Sequence, residues 1–138
     1  MTMLVKWQGG MAFQATTESG HQVMMDAAPE VGGANLGARP MEMLLMGLGG
    51  CSGIDVIMML QKGGQEVTDC QIEISSQRAE TIPKVYTEIQ AHYKVYGKGL
   101  SEKKVQRAVE LSAEKYCSVS KMLEATVKMS HTFEIIEA

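Results

Sequence analysis

The chain has 138 residues, 45% hydrophobic and 21% charged, which fits a single folded domain over residues 1–138 and argues against a disordered chain. Thirteen Lys and Arg against sixteen Asp and Glu leave a formal charge of −3, so neither nucleic acid nor an anionic membrane is an expected partner; both need clustered positive charge. Three Cys cannot pair off within one chain, which excludes a disulfide-stapled secreted scaffold and favours a reducing cytoplasm.

Met1 to Gly10 alternates apolar and polar residues, so no signal peptide is expected there. In that segment Met3, Val5 and Trp7 share one face, which predicts a strand ended by Gly9-Gly10. Met11 to Thr16 and His21 to Asp26 predict two more strands, completing an antiparallel meander. Ala27 to Arg39, rich in Gly, predicts a mobile loop.

Pro40 suits the first turn of a helix, and Glu42 complements the positive end of its dipole. From Met41 to Gln61 almost no polar face exists, so the helix is expected to be buried nearly all round. Its longest charge-free piece, Met43 to Ile54, falls well short of the about 20 residues a membrane span needs. Gly47, Gly49, Gly50 and Gly53 imply that something packs close to its backbone.

Thr68 to Ser76 and Val85 to Tyr96 alternate as half-buried strands. Ser101 and Glu102 open a second helix with an apolar stripe at Val105, Ala108, Val109, Leu111 and Ser112. A short third helix, Val119 to Glu124, leads to a last strand, Val127 to Ile136. The order β-β-β-α-β-β-α-α-β predicts an α+β fold, with a largely antiparallel sheet around one long buried helix.

The cysteines are the chemically informative residues. Cys70 falls on the apolar face of a strand and reads as core packing. Cys51 reads either as a small core residue or as a reactive thiol, since its glycine neighbours leave room for a ligand. Cys117 falls at a helix boundary, where the dipole together with Lys115 and Lys121 would lower a thiol pKa. Asp55, four residues after Cys51, shares its helix face and would raise that thiol's pKa. No C-x-x-C occurs, nor any His or Cys pair at helical ligand spacing, so a metal is not expected. His21 and His92 read as solvated and His131 as half-buried. No phosphate-binding glycine pattern or G-x-S-x-G elbow is present.

The segment Pro40-Met-Glu-Met-Leu-Leu-Met-Gly-Leu-Gly-Gly-Cys51 resembles the P-x-E-L-L-L-x-A-x-G-x-C helix of the osmotically inducible protein C and organic hydroperoxide resistance family (OsmC/Ohr). Tyr116-Cys117-Ser118-Val119-Ser120 resembles that family's second signature, C-P-V-S, and the chain resembles the small YhfA-like branch. The resemblance implies an intertwined homodimer with its sites at the subunit interface. It implies that Cys51 attacks a small organic hydroperoxide and becomes a sulfenic acid, that Cys117 condenses with it to a disulfide, and that a dithiol reductant reopens the pair. Peroxidatic members add an activating Arg–Glu ion pair, with the Glu directly after the helix Pro; Met41 stands there, and Glu42 comes one residue later. Nine helical positions at about 100° each place Glu42 on the side opposite Cys51. Arg39 is the only Arg in the N-terminal part and is expected to be the activator, although its position does not match the family's Arg. Two further readings stay open: a non-enzymatic protein that binds a small apolar ligand, and a protein whose thiols only fill a core.

Overall fold

The computed structural model describes residues 1–138. It forms two compact units, Met1–Met46 and Gly47–Ala138. In the first, β1 (Leu4–Trp7), β2 (Phe13–Thr16) and β3 (Gln22–Met25) make an antiparallel meander in that order. The Gly9-Gly10 turn has positive φ at both residues, which explains the choice of glycine there.

The segment after β3 is not the loose loop its composition predicts. Asp26 is buried, and its carboxylate accepts N–H bonds from Ala27, Ala34 and Leu36 at 2.8, 3.0 and 3.1 Å. One side chain thereby satisfies three backbone donors and ties the segment down. Those bonds, first that from Leu36, outweigh burial and hold the carboxyl below its ordinary pKa.

Helix α1 (Pro40–Lys62) begins in the first unit and runs through the second. Arg39 precedes it, and Glu42 Oε1 reaches back to accept the Arg39 N–H at 2.8 Å, satisfying a donor the helix leaves free.

In the second unit β4 (Val67–Arg78) pairs antiparallel with β5 (Tyr86–Gly97), and β5 pairs in parallel with β6 (Lys128–Glu137). The parallel pairing is possible because α2 (Glu102–Leu111), a π-helical turn (Ser112–Tyr116) and α3 (Ser118–Leu123) form the crossover between β5 and β6. Ser101 caps α2 by accepting from the Lys104 N–H. The fold is α+β and largely antiparallel as expected, but it carries two three-stranded sheets, not one.

The core of this unit joins α1, β5 and α2 through Val56, Leu60, Ala91, Tyr93, Val95, Val105, Ala108 and Val109. Full burial of α1 does not hold for the single chain. Only Leu48, Ser52, Val56 and Leu60 are buried, whereas Ile54 and Met58 are 64% and 48% exposed. A helix packed on one side buries one stripe, whatever its composition. The glycine argument is met at two positions: a Cβ on Gly49 or Gly53 would come within 3.1 or 3.2 Å of the Ile74 or Ile72 side chain of β4. Gly47 and Gly50 face open space.

Candidate functional site

Cys51 and Asp55 stand one turn apart on α1 and so present their side chains to the same side. Cys117 comes from within the crossover, at the junction of the π-helical turn and α3. The sulfurs of Cys51 and Cys117 and a carboxylate oxygen of Asp55 all lie within 4.8 Å of one another. Cys117 is fully buried; Cys51 and Asp55 are half-buried.

The π-helical turn explains how Cys117 gets there. Its N–H bonds to the Ser112 carbonyl at 2.9 Å, and its sulfur then caps α3 by accepting from the Ser120 N–H at 3.4 Å. Ser112 is buried and points its hydroxyl at α1. It donates to Asp55 Oδ2 at 3.1 Å and lies 2.8 Å from the Ser52 hydroxyl, which in turn bonds the Tyr93 hydroxyl. Tyr93, Ser52, Ser112 and Asp55 thus form one hydrogen-bonded chain from β5 through α1 to the crossover, ending beside the two thiols. No buried side-chain polar atom in the protein is left without a partner.

The electrostatics differ from the expectation for a cysteine at a helix boundary. Burial, the first cause, and the neighbouring Cys51 sulfur push the Cys117 thiol up to about 11, against the lowering effect of the Ser120 and Val119 N–H groups. The two lysines that were to lower it are engaged elsewhere: Lys115 lies over the Tyr116 ring, and Lys121 pairs with Glu124 at 2.5 Å. Cys117 is therefore a protonated thiol at neutral pH.

Cys70 is half-buried on β4, packs against the core and has its thiol pushed up by burial and by Asp69. It also lines an open, mainly apolar groove of about 650 Å³ along α1, with Gly50, Gly53, Ile54, Met58 and Ile72. His92 bonds Thr132 and approaches Glu134 at 3.8 Å, and His21 meets Ser19 at 3.0 Å. Arg39, in the first unit, donates from Nη1 to the Gly37 carbonyl at 3.0 Å, and Glu42 holds the Arg39 backbone.

Sequence reasoning singled out both cysteines and the shared face of Cys51 and Asp55, but it missed the chain of hydroxyls. The available signal was weak: Ser52 and Ser112 are small polar residues within otherwise apolar stripes, and such residues are buried only with partners.

A thiol on a glycine-rich core helix, met by a second thiol from a β5–β6 crossover, defines a class of two-cysteine α+β proteins. A family model described as OsmC-like protein matches residues 32–132, and the chain belongs to that family. It is 46% identical to protein YhfA of Escherichia coli strain K12 over 138 residues, the full length of both chains. A hypothetical protein from Aquifex aeolicus VF5 is 34% identical, with a TM-score of 0.87 over 99% of this chain and 96% of that one. The fold also matches the organic hydroperoxide resistance protein OhrB of Bacillus subtilis, with a TM-score of 0.65 at 20% identity over 97% and 98% of the two chains.

Proposed function

We propose that this protein reduces small organic hydroperoxides through a two-cysteine cycle. Membership of the OsmC-like family supports a redox or peroxide-resistance role in general. The observation that carries the finer reading is the approach of the Cys51 and Cys117 sulfurs to within 4.8 Å. In the cycle the Cys51 thiolate attacks the terminal peroxide oxygen, the O–O bond breaks, and the alkoxide leaves and is protonated to an alcohol. The resulting Cys51 sulfenic acid condenses with the Cys117 thiol, releasing water and forming a disulfide; an external dithiol then returns both thiols. A buried, protonated Cys117 suits the second step, since it is kept from the peroxide and is in place for the sulfenic acid.

In this reading Arg39 is the electrostatic activator, supplied across a homodimer interface, and Glu42 positions Arg39 through its backbone. The exposed apolar side chains of α1, Ile54 and Met58 among them, are what a second copy would cover. The working unit is one OsmC-like domain of residues 1–138 in a homodimer, acting without a metal or organic cofactor in the cytoplasm, where its free thiols stay reduced. The test is turnover of cumene hydroperoxide with dithiothreitol for wild type, Cys51→Ser and Cys117→Ser, alongside light scattering of the purified chain. Equal slow rates in all three proteins overturn the cycle, and a monomeric mass overturns the dimer.

One observation favours a second reading, the binding of a small apolar molecule without catalysis: the groove of about 650 Å³ beside Cys70 is lined mainly by glycine and aliphatic side chains. Native mass spectrometry of the purified protein separates the two. A retained acyl-like ligand together with absent peroxide turnover selects binding.

A further inference from the structure

We propose that Cys51, Asp55 and Cys117 form a three-ligand site for a thiophilic divalent cation of the zinc type. The proposal departs from the sequence expectation of no metal, which considered only His and Cys spacings. The fold adds a carboxylate to two thiols from distant parts of the chain, and the three donor atoms lie within 4.8 Å of one another. Tetrahedral zinc with ordinary Zn–S and Zn–O bonds holds such atoms about 3.6–3.8 Å apart, so closure needs a contraction of at most about 1.2 Å at each pair. Small side-chain rotations supply that.

Four further observations favour a cation. Asp55 takes part in none of the protein's ion pairs, so its carboxylate is free of any competing lysine or arginine. Its Oδ2 is oriented by the Ser112 hydroxyl, itself fixed by Ser52, and ligand carboxylates are oriented by hydrogen bonds of this kind. The Cys117 sulfur accepts the Ser120 N–H at 3.4 Å, an interaction that stabilises a metal-bound thiolate. Cys51 and Asp55 are half-buried, which gives the ion a way in and leaves the fourth position for water.

Binding is not a redox step: the divalent ion forms two sulfur bonds and one oxygen bond, and each thiol releases its proton to solvent. The same two sulfurs cannot be disulfide and metal ligand together, so the cation protects the reduced pair and withholds it from peroxide. The site requires reduced thiols and no peroxide chemistry, so it stands whether or not the catalytic reading does.

The experiment is a titration of the reduced full-length protein with cobalt(II), read by the thiolate-to-cobalt charge-transfer band and the visible bands of four-coordinate cobalt. Zinc then displaces the cobalt against a chromogenic chelator. One ion per chain is expected, with no thiolate band in Cys51→Ser, Cys117→Ser or the disulfide form, and an unchanged band in Cys70→Ser. Asp55→Asn should weaken zinc binding at least tenfold, and Ser112→Ala, which frees the carboxylate without removing a ligand, should weaken it less. Circular dichroism checks the fold of each variant. Absence of a thiolate–cobalt band in the wild type, or undiminished affinity in a folded Asp55→Asn, overturns the proposal. Hydroperoxide turnover measured with and without a chelator reads the catalytic proposal separately.

Discussion

The N–H of Cys117 donates to the carbonyl of Ser112 at 2.9 Å, an i to i−5 bond across a single π-helical turn. The turn is short, and the residues at its two ends both face α1: Ser112 through its hydroxyl and Cys117 through its sulfur. π-Helical turns recur at functional sites because they reset the direction of side chains that a continuous helix would send elsewhere. Here the resetting brings the Cys117 thiol and the support for Asp55 to one place.

The two cysteines should therefore fail differently when removed. Cys51→Ser should abolish reaction with alkyl hydroperoxide. Cys117→Ser should still react once, and its Cys51 sulfenic acid should accumulate and be captured by dimedone as a single adduct in the mass spectrum. Steady-state turnover in either variant should fall by about 100-fold or more, on the scale typical of lost covalent-catalysis residues. A dimedone adduct on Cys117 in the wild type would reverse the two roles.

Alkaline pH should destabilise the fold through Cys117. Its folded pKa, about 11, lies above the unfolded thiol value, so its contribution is complete below that value and is lost as pH rises toward 11. Urea unfolding at pH 8, 9.5 and 11 should show this decline, and Cys117→Ser should show a shallower one. Equal slopes in the two proteins would remove Cys117 from the account.

The hydroxyl chain should be worth measuring one member at a time. Tyr93→Phe keeps the ring in the core and removes only the partner of the Ser52 hydroxyl, which still has Ser112. The expected loss is about 1–2 kcal/mol in urea unfolding, the ordinary effect of deleting one buried hydrogen bond. Ser112→Ala leaves both Ser52 and Asp55 short of a partner and should lose more. The reverse order would mean that Ser52 and Asp55 find water once Ser112 is gone.

Acid should act on the other unit. The Asp26 carboxyl lies below its ordinary pKa, so its contribution is present above the unfolded carboxyl value and disappears as pH falls through the depressed one. The segment Ala27 to Arg39 should become susceptible to protease as pH drops, ahead of global unfolding by circular dichroism. Asp26→Ala should show that susceptibility already at pH 7. Asp26→Asn keeps one acceptor oxygen and should fall between the two; cleavage in Asp26→Asn equal to wild type would show that charge plays no part.

Element order, the strands, the helix at Pro40 and both informative cysteines were legible in the sequence because they rest on local patterns. A period of two marks Cys70, Ile72 and Ile74, glycine pairs mark the turns, and Pro40 with Glu42 marks a helix start. Two local readings went astray because packing overrode composition. Composition made Ala27 to Arg39 look loose, yet the buried Asp26 carboxylate at its leading edge holds it through Ala27, Ala34 and Leu36; and an apolar circumference made α1 look buried, although one chain covers only one stripe of it.

What the sequence determined by itself was the class: an α+β chain of the OsmC-like kind with two thiols in matching motifs. Only the tertiary structure decided their environment. Local spacing could put Asp55 beside Cys51, but bringing Cys117 and Ser112 to them requires the crossover to fold back over α1. The same packing that unites the thiols also buries Cys117 and turns Lys115 and Lys121 to other partners, so the thiol rises where the helix boundary alone would have lowered it. Desolvation and side-chain partnership are properties of the packed chain, and no sequence interval contains them.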